Sequence, residues 1–120
     1  MAKQKVLMLI GGEYHPYQAC AEIFKGFVEA SGRYTVDVTE DRNALKTDFL
    51  SNYDAVVLYT QGGELKKPQL DGLLGFVRKG GALVALHSAI ASFRNQDAYT
   101  DLLGGRFNGH GPVFEFPVTP

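Results

Sequence analysis

At 120 residues, 45% of them hydrophobic and 21% charged, the chain has the size and composition of one globular domain with a buried core. A formal net charge of -1 offers nothing global to draw it to nucleic acid or to an anionic membrane. The single cysteine, Cys20, rules out an internal disulfide and fits a reducing, cytoplasmic location.

Lys3 and Lys5 precede the apolar run Val6–Ile10, a pattern that superficially matches a secretory signal. The run is too short for one, and Gly11-Gly12-Glu13 stands where a cleavage site belongs. It predicts instead a first strand buried on both faces of a parallel sheet. No stretch is long enough to span a bilayer. After the loop Gly11–Pro16, the residues Cys20, Ile23, Phe24, Phe27 and Val28 recur at helical spacing and predict an amphipathic helix closed by Gly32. Cys20 reads as a buried structural thiol, and Phe24, Phe27, Phe49 and Phe76 as core. Tyr34–Val38 alternates and predicts a more exposed strand near a sheet edge. Asp41–Asn52 is polar with anchors at Leu45, Phe49 and Leu50, which suits a short helix or turn.

Ala55–Tyr59 predicts a second buried strand, followed by the loop Thr60–Gly63. Pro68 suits a first helical turn, and Leu70, Leu73, Leu74 and Val77 give the next amphipathic helix, stopped by Gly80-Gly81. Ala82–Leu86 predicts a third buried, central strand. Gln96–Leu103 reads as a short helix ended by Gly104-Gly105. Val113–Val118 has the character of a last strand, which Pro117 keeps off a central position. Strands alternating with helices predict a single α/β domain over residues 1–120 with a doubly wound, mostly parallel sheet. Ligands bind such sheets beyond the C-terminal strand ends, at the switch point.

Three loops are therefore expected to line one crevice: Gly11–Pro16, Tyr59–Gly63 and His87–Ala91. They contain His15 and His87, two of the three histidines, a residue type suited to acid–base work near neutral pH and to metal binding. Gly11-Gly12 and Gly62-Gly63 either present backbone N–H groups to an anion or simply make turns; neither loop matches a dinucleotide fingerprint or a P-loop. The turn after Leu86 is the most informative feature. A nucleophile elbow needs small residues two positions before and after its apex. Centred on His87 these are Ala85 and Ala89; centred on Ser88 they are the bulky Leu86 and Ile90. The apex is therefore expected at His87, with Ser88 beside it or serving as the cap of the next helix. His110, in Asn108–Gly111, is either a third site histidine or a solvated loop residue.

Together these stretches resemble the ThuA-like, or trehalose-utilisation, family of the class I glutamine amidotransferase-like superfamily. The resemblance rests on Gly11-Gly12 through His15, Asn52–Leu58, Phe76–Gly81, Ala85-Leu86-His87-Ser88-Ala89, and Leu102–Phe107 with His110. It implies a flavodoxin-like three-layer αβα sandwich and a link to sugar metabolism. Glutamine amidotransferases carry a cysteine at the elbow, where this chain has His87, so no amidotransferase activity is expected. Family members run longer, so the chain is expected to be truncated relative to them at its C-terminus. Exposed Val113, Phe114 and Phe116 are then expected to recruit a second copy into a homo-oligomer.

The function expected is an enzyme of carbohydrate utilisation acting on trehalose or a keto-sugar, with His87, Ser88 and His15 catalytic. Tyr59, Gln61, Gly62, Gly63 and His110 are expected to bind the substrate. One alternative is a non-catalytic ligand-binding or assembly module. Another is a metal-dependent hydrolase holding a divalent metal through His15, His87 and His110.

Overall fold

The apolar run near the N-terminus forms strand β1 (Gln4–Gly11) at the centre of a four-stranded sheet. The computed structural model describes residues 2–120. Around β1 lie α1 (Tyr17–Ala30), β2 (Tyr34–Thr39), a 3-10 turn (Arg42–Leu45) and the one-turn α2 (Thr47–Leu50). Then follow β3 (Ala55–Thr60), α3 (Lys67–Arg78), β4 (Ala82–Ala85), a second 3-10 turn (His87–Ala91) and α4 (Asp97–Leu103). The strand order is β2-β1-β3-β4, with all three pairings parallel. The fold is thus the flavodoxin-like three-layer sandwich.

Both faces of β1 are buried because its side chains alternate between two cores. Leu7 and Leu9 join Val56, Leu58, Leu45, Leu73 and Phe93 beneath α2, α3 and α4. Val6, Met8 and Ile10 join Val36, Val57, Tyr17 and Ala21 beneath α1. The register sets Leu7 beside Val56 and Leu9 beside Leu58, so the strand ends of β1 and β3 finish level.

Several expectations are corrected here. Ala82–Ala85 is the edge strand rather than a central one, and Val84 is 46% exposed. Val113–Val118 forms no strand. Pro117 lacks an N–H to donate, and the segment is exposed throughout and pairs with no strand among the described residues. Phe27 and Phe49 are exposed on their helices, whereas Phe24 and Phe76 pack against the cores. Phe49 stacks on Tyr53, 5.8 Å between ring centroids, at the surface. Cys20 is half-buried against the α1-side core. No helix among the described residues is long and apolar enough to cross a membrane.

Two tyrosines lock elements together and so carry a pH signature. Tyr99 packs edge-on to Phe93 and donates to the carbonyl of Ala89 at 2.7 Å. Burial pushes its phenol well above the usual tyrosine range. Tyr53 donates to Asp37 Oδ2 at 2.7 Å, and burial, then that hydrogen bond and the carboxylate charge, push it up to about 12. Both groups keep their protons in the folded state at a pH where the unfolded chain loses them. Stability is therefore full below the ordinary tyrosine pKa of about 10 and falls as pH rises from there through about 12. Tyrosinate absorbance should rise late, in step with unfolding. Tyr53→Phe should remove part of the alkaline loss.

Candidate active site

The switch point lies between β1 and β3. The chain leaves β1 toward α1 on one face and leaves β3 toward α3 on the other, opening a crevice between the two loops. Gly12 brings the loops together. It sits at φ +131°, and a Cβ there would stand 2.5 Å from the Gln61 carbonyl oxygen, so only glycine permits this approach. The β1 loop is further pinned by the Tyr17 hydroxyl, which donates to Glu13 O at 2.8 Å.

The third wall comes from β4. Leu86 N–H donates to Leu58 O at 2.9 Å, and the chain then reverses at His87, which adopts φ +46°. That is the left-handed region, rarely used by a non-glycine residue. Ala89 closes the turn with its N–H on Leu86 O and is fully buried against the core, leaving no room for a larger side chain. The apex is therefore His87, whose exposed ring stands at the crevice mouth. The following 3-10 turn begins at His87 itself with Leu86 as its cap, so Ser88 does not cap it.

A hollow of about 330 Å³ opens there. Its polar wall is His15, Gln61, His87, Ser88 and His110, and its apolar wall is Tyr14, Ile90, Ala91 and Phe107. The His15 and His87 rings meet nearly edge to face, 4.7 Å between centroids at 72°. Behind them Tyr59 lies 6.2 Å from His15 and 4.8 Å from Tyr17. Burial, then the neighbouring Cys20 and Tyr17, raises the Tyr59 phenol above its ordinary value. Ser88 is buried, and its hydroxyl has no hydrogen-bond partner in the described structure. An unpartnered buried hydroxyl costs roughly 1–3 kcal/mol, a cost that a bound polar group would offset.

His15, Gln61, His87, Ser88 and His110 thus share one hollow, whereas Tyr59, Gly62 and Gly63 do not line it. Tyr59 backs the histidines. The Gly62 N–H is committed to Ala91 O at 3.0 Å, and both glycines border a separate neighbouring hollow. His110 donates from Nδ1 to the carbonyl of Gly111 at 2.6 Å. Its segment is held by Phe107 N–H on Ile90 O and by Arg94 on Phe107 O. Among the described residues no three His, Cys, Asp or Glu side chains converge to hold a metal ion. Tyr14, Ile90 and Phe107 were not expected individually as site residues. Tyr14 and Ile90 fall in loops expected to line the crevice, and Phe107 in the stretch that carries the family resemblance, but only tertiary packing shows that their side chains form this wall. Another hollow of about 330 Å³, between α2 and α3, lies at the opposite, N-terminal end of the strands and contains no histidine.

The sheet order, the elbow and the crevice beyond the strand ends define a flavodoxin-like α/β protein with histidine at the apex of its elbow. The chain belongs to the ThuA family: the family model, described as trehalose utilisation, matches residues 5–119. A thua-like protein from Parabacteroides merdae ATCC 43184 superposes with TM-score 0.77 at 26% identity, covering 91% of this chain and 41% of that one. A second, from Bacteroides uniformis ATCC 8492, gives TM-score 0.69 at 18% identity over 85% of this chain and 44% of that one, a likeness of fold alone. The chain therefore spans less than half the length of these solved proteins. No curated protein matches it.

Proposed function

We propose that this chain carries the acid–base centre of an enzyme acting on a carbohydrate, trehalose or a keto-sugar. The carrying observation is His87 held at φ +46° with the His15 ring 4.7 Å away, both on the wall of one hollow. Holding a non-glycine residue in that conformation costs free energy, and such strain clusters at functional sites. Two imidazoles side by side suit a proton relay: one accepts a proton from a sugar hydroxyl, or from a carbon next to a keto group, while the other donates. The rest of the hollow fits a sugar ring. Tyr14 and Phe107 offer flat apolar surface to its C–H face, while Gln61, Ser88 and His110 offer hydrogen bonds to its hydroxyls. The family's description points to the same substrate class.

The test is a thermal-shift panel of sugars and keto-sugars, with elemental analysis of the same protein. A ligand at roughly ten times its Kd adds about 1.4 kcal/mol and raises the melting temperature measurably. A flat panel with no bound metal favours a non-catalytic binding or assembly module. A stoichiometric metal, removable by chelator with loss of stability, favours the metal-dependent hydrolase.

A further inference from the structure

A further hollow, of about 450 Å³, lies across the Gly12–Gln61 contact from the histidines, at the C-terminal ends of β1 and β2. It is lined by Ile10, Gly11, Gly12, Glu40, Asp41 and Arg42. We propose that this hollow binds the vicinal diol of a neutral sugar through the Glu40 carboxylate and the Arg42 guanidinium. The inference is independent of what His87 does.

Arg42 is set in place without a carboxylate partner. Its guanidinium lies 5.1 Å over the Phe93 ring and donates from one nitrogen to Glu64 O at 3.3 Å. It lies across Gly63, where any Cβ would collide with it. A guanidinium has five N–H donors, so most of them remain available. Asp41 is occupied, its side chain accepting from Asn43 N–H at 2.9 Å. Glu40 makes no hydrogen bond or ion pair among the described residues, and its Oε1 comes within 3.9 Å of where a Cβ on Gly11 would stand. The carboxylate therefore flanks the face of Gly11 that carries no side chain.

The charges decide the ligand class. Glu40 and Asp41 repel a phosphate or carboxylate, and Arg42 repels a metal cation. A neutral pair of adjacent hydroxyls satisfies both sides, donating two O–H bonds to the carboxylate and accepting from the guanidinium. The diol can therefore come from a free sugar or from a nucleoside, and the experiment distinguishes them.

The experiment is amide NMR titration of the intact chain with glucose, adenosine and 2′-deoxyadenosine, repeated on Glu40→Gln. Shifts at Gly11, Gly12, Glu40 and Arg42 are expected with a diol-bearing probe, weakened at least about tenfold by Glu40→Gln. Response to glucose alone assigns a free sugar. Response to adenosine but not to its deoxy form assigns a nucleoside. Glu40 is exposed, so its variant should fold, and the amide spectrum reports that directly. No shift with either diol, equal binding of 2′-deoxyadenosine and adenosine, or unchanged affinity in Glu40→Gln overturns the proposal. Shifts confined to His15, His87 and Ile90 would overturn it while leaving the histidine hollow as the sugar site.

Discussion

Replacing His87 with glycine is expected to abolish sugar binding while leaving the protein at least as stable as its parent. His87 sits at φ +46°, where an L-residue pays roughly 1–2 kcal/mol that glycine does not. Glycine gives back about 0.4–1 kcal/mol through the greater freedom of the unfolded chain. The imidazole is exposed, so its removal sacrifices little packing. The net change should therefore lie between zero and about 1 kcal/mol in favour of the variant. His87→Ala keeps the strain and loses the ring, so it should bind equally poorly and stay within about 0.5 kcal/mol of the parent. Denaturant midpoints at constant slope, read beside thermal shifts with the sugars that stabilise the parent, separate the two effects. A glycine variant clearly less stable than the alanine one would mean that the backbone at position 87 is not strained, and both clearly less stable than the parent would mean that the His87 ring holds the turn together. Undiminished binding in either variant would move the site elsewhere.

Much of this arrangement was legible in the sequence because a single local signal sufficed. Continuous apolar runs marked β1 and β3, and the helical spacing from Leu70 to Val77 marked α3. Small residues at Ala85 and Ala89 marked His87 as the apex, since the turn sterically demands them. The failures share a different cause. Ala82–Leu86 is as apolar as β3, but composition does not say whether a neighbour covers it, and β4 lies at the edge. Gly62 looked like a free amide donor, and its commitment to Ala91 O depends on where a distant turn lands. The positive φ of Tyr14, which shapes the hollow's apolar wall, has no composition signal at all. The hollow beside Glu40 was equally hidden. Arg42 lines it, while its guanidinium is held against Gly63 and Phe93, residues far apart in the chain.

The two glycines within α3 should respond to alanine in opposite directions. On helix propensity alone each costs about 1 kcal/mol relative to alanine, so each substitution would stabilise the helix. Gly75 meets that expectation, because a Cβ there finds no heavy atom within 4 Å. Gly75→Ala should gain about 0.5–1 kcal/mol. Gly72 is buried where α3 crosses the link between the 3-10 turn and α2. A Cβ there would strike the Leu45 carbonyl oxygen and stand 2.8 Å from Thr47 N and 2.9 Å from the Lys46 carbonyl carbon. These are backbone atoms and cannot swing aside as a flexible side chain would. Relief requires α3 to lift off the core that Leu73 anchors, so Gly72→Ala should lose about 3 kcal/mol despite the propensity gain. The displacement should also reach the crevice. The loop from β3 into α3 is braced by Gln96, which accepts from Leu65 N–H at 2.8 Å and donates to Leu65 O at 3.0 Å. Moving α3 strains that brace just beyond Gln61 and Gly63. Denaturant unfolding of the two single variants measures the contrast. Equal stabilisation by both would mean that α3 stands further from the α2 link than the structure shows.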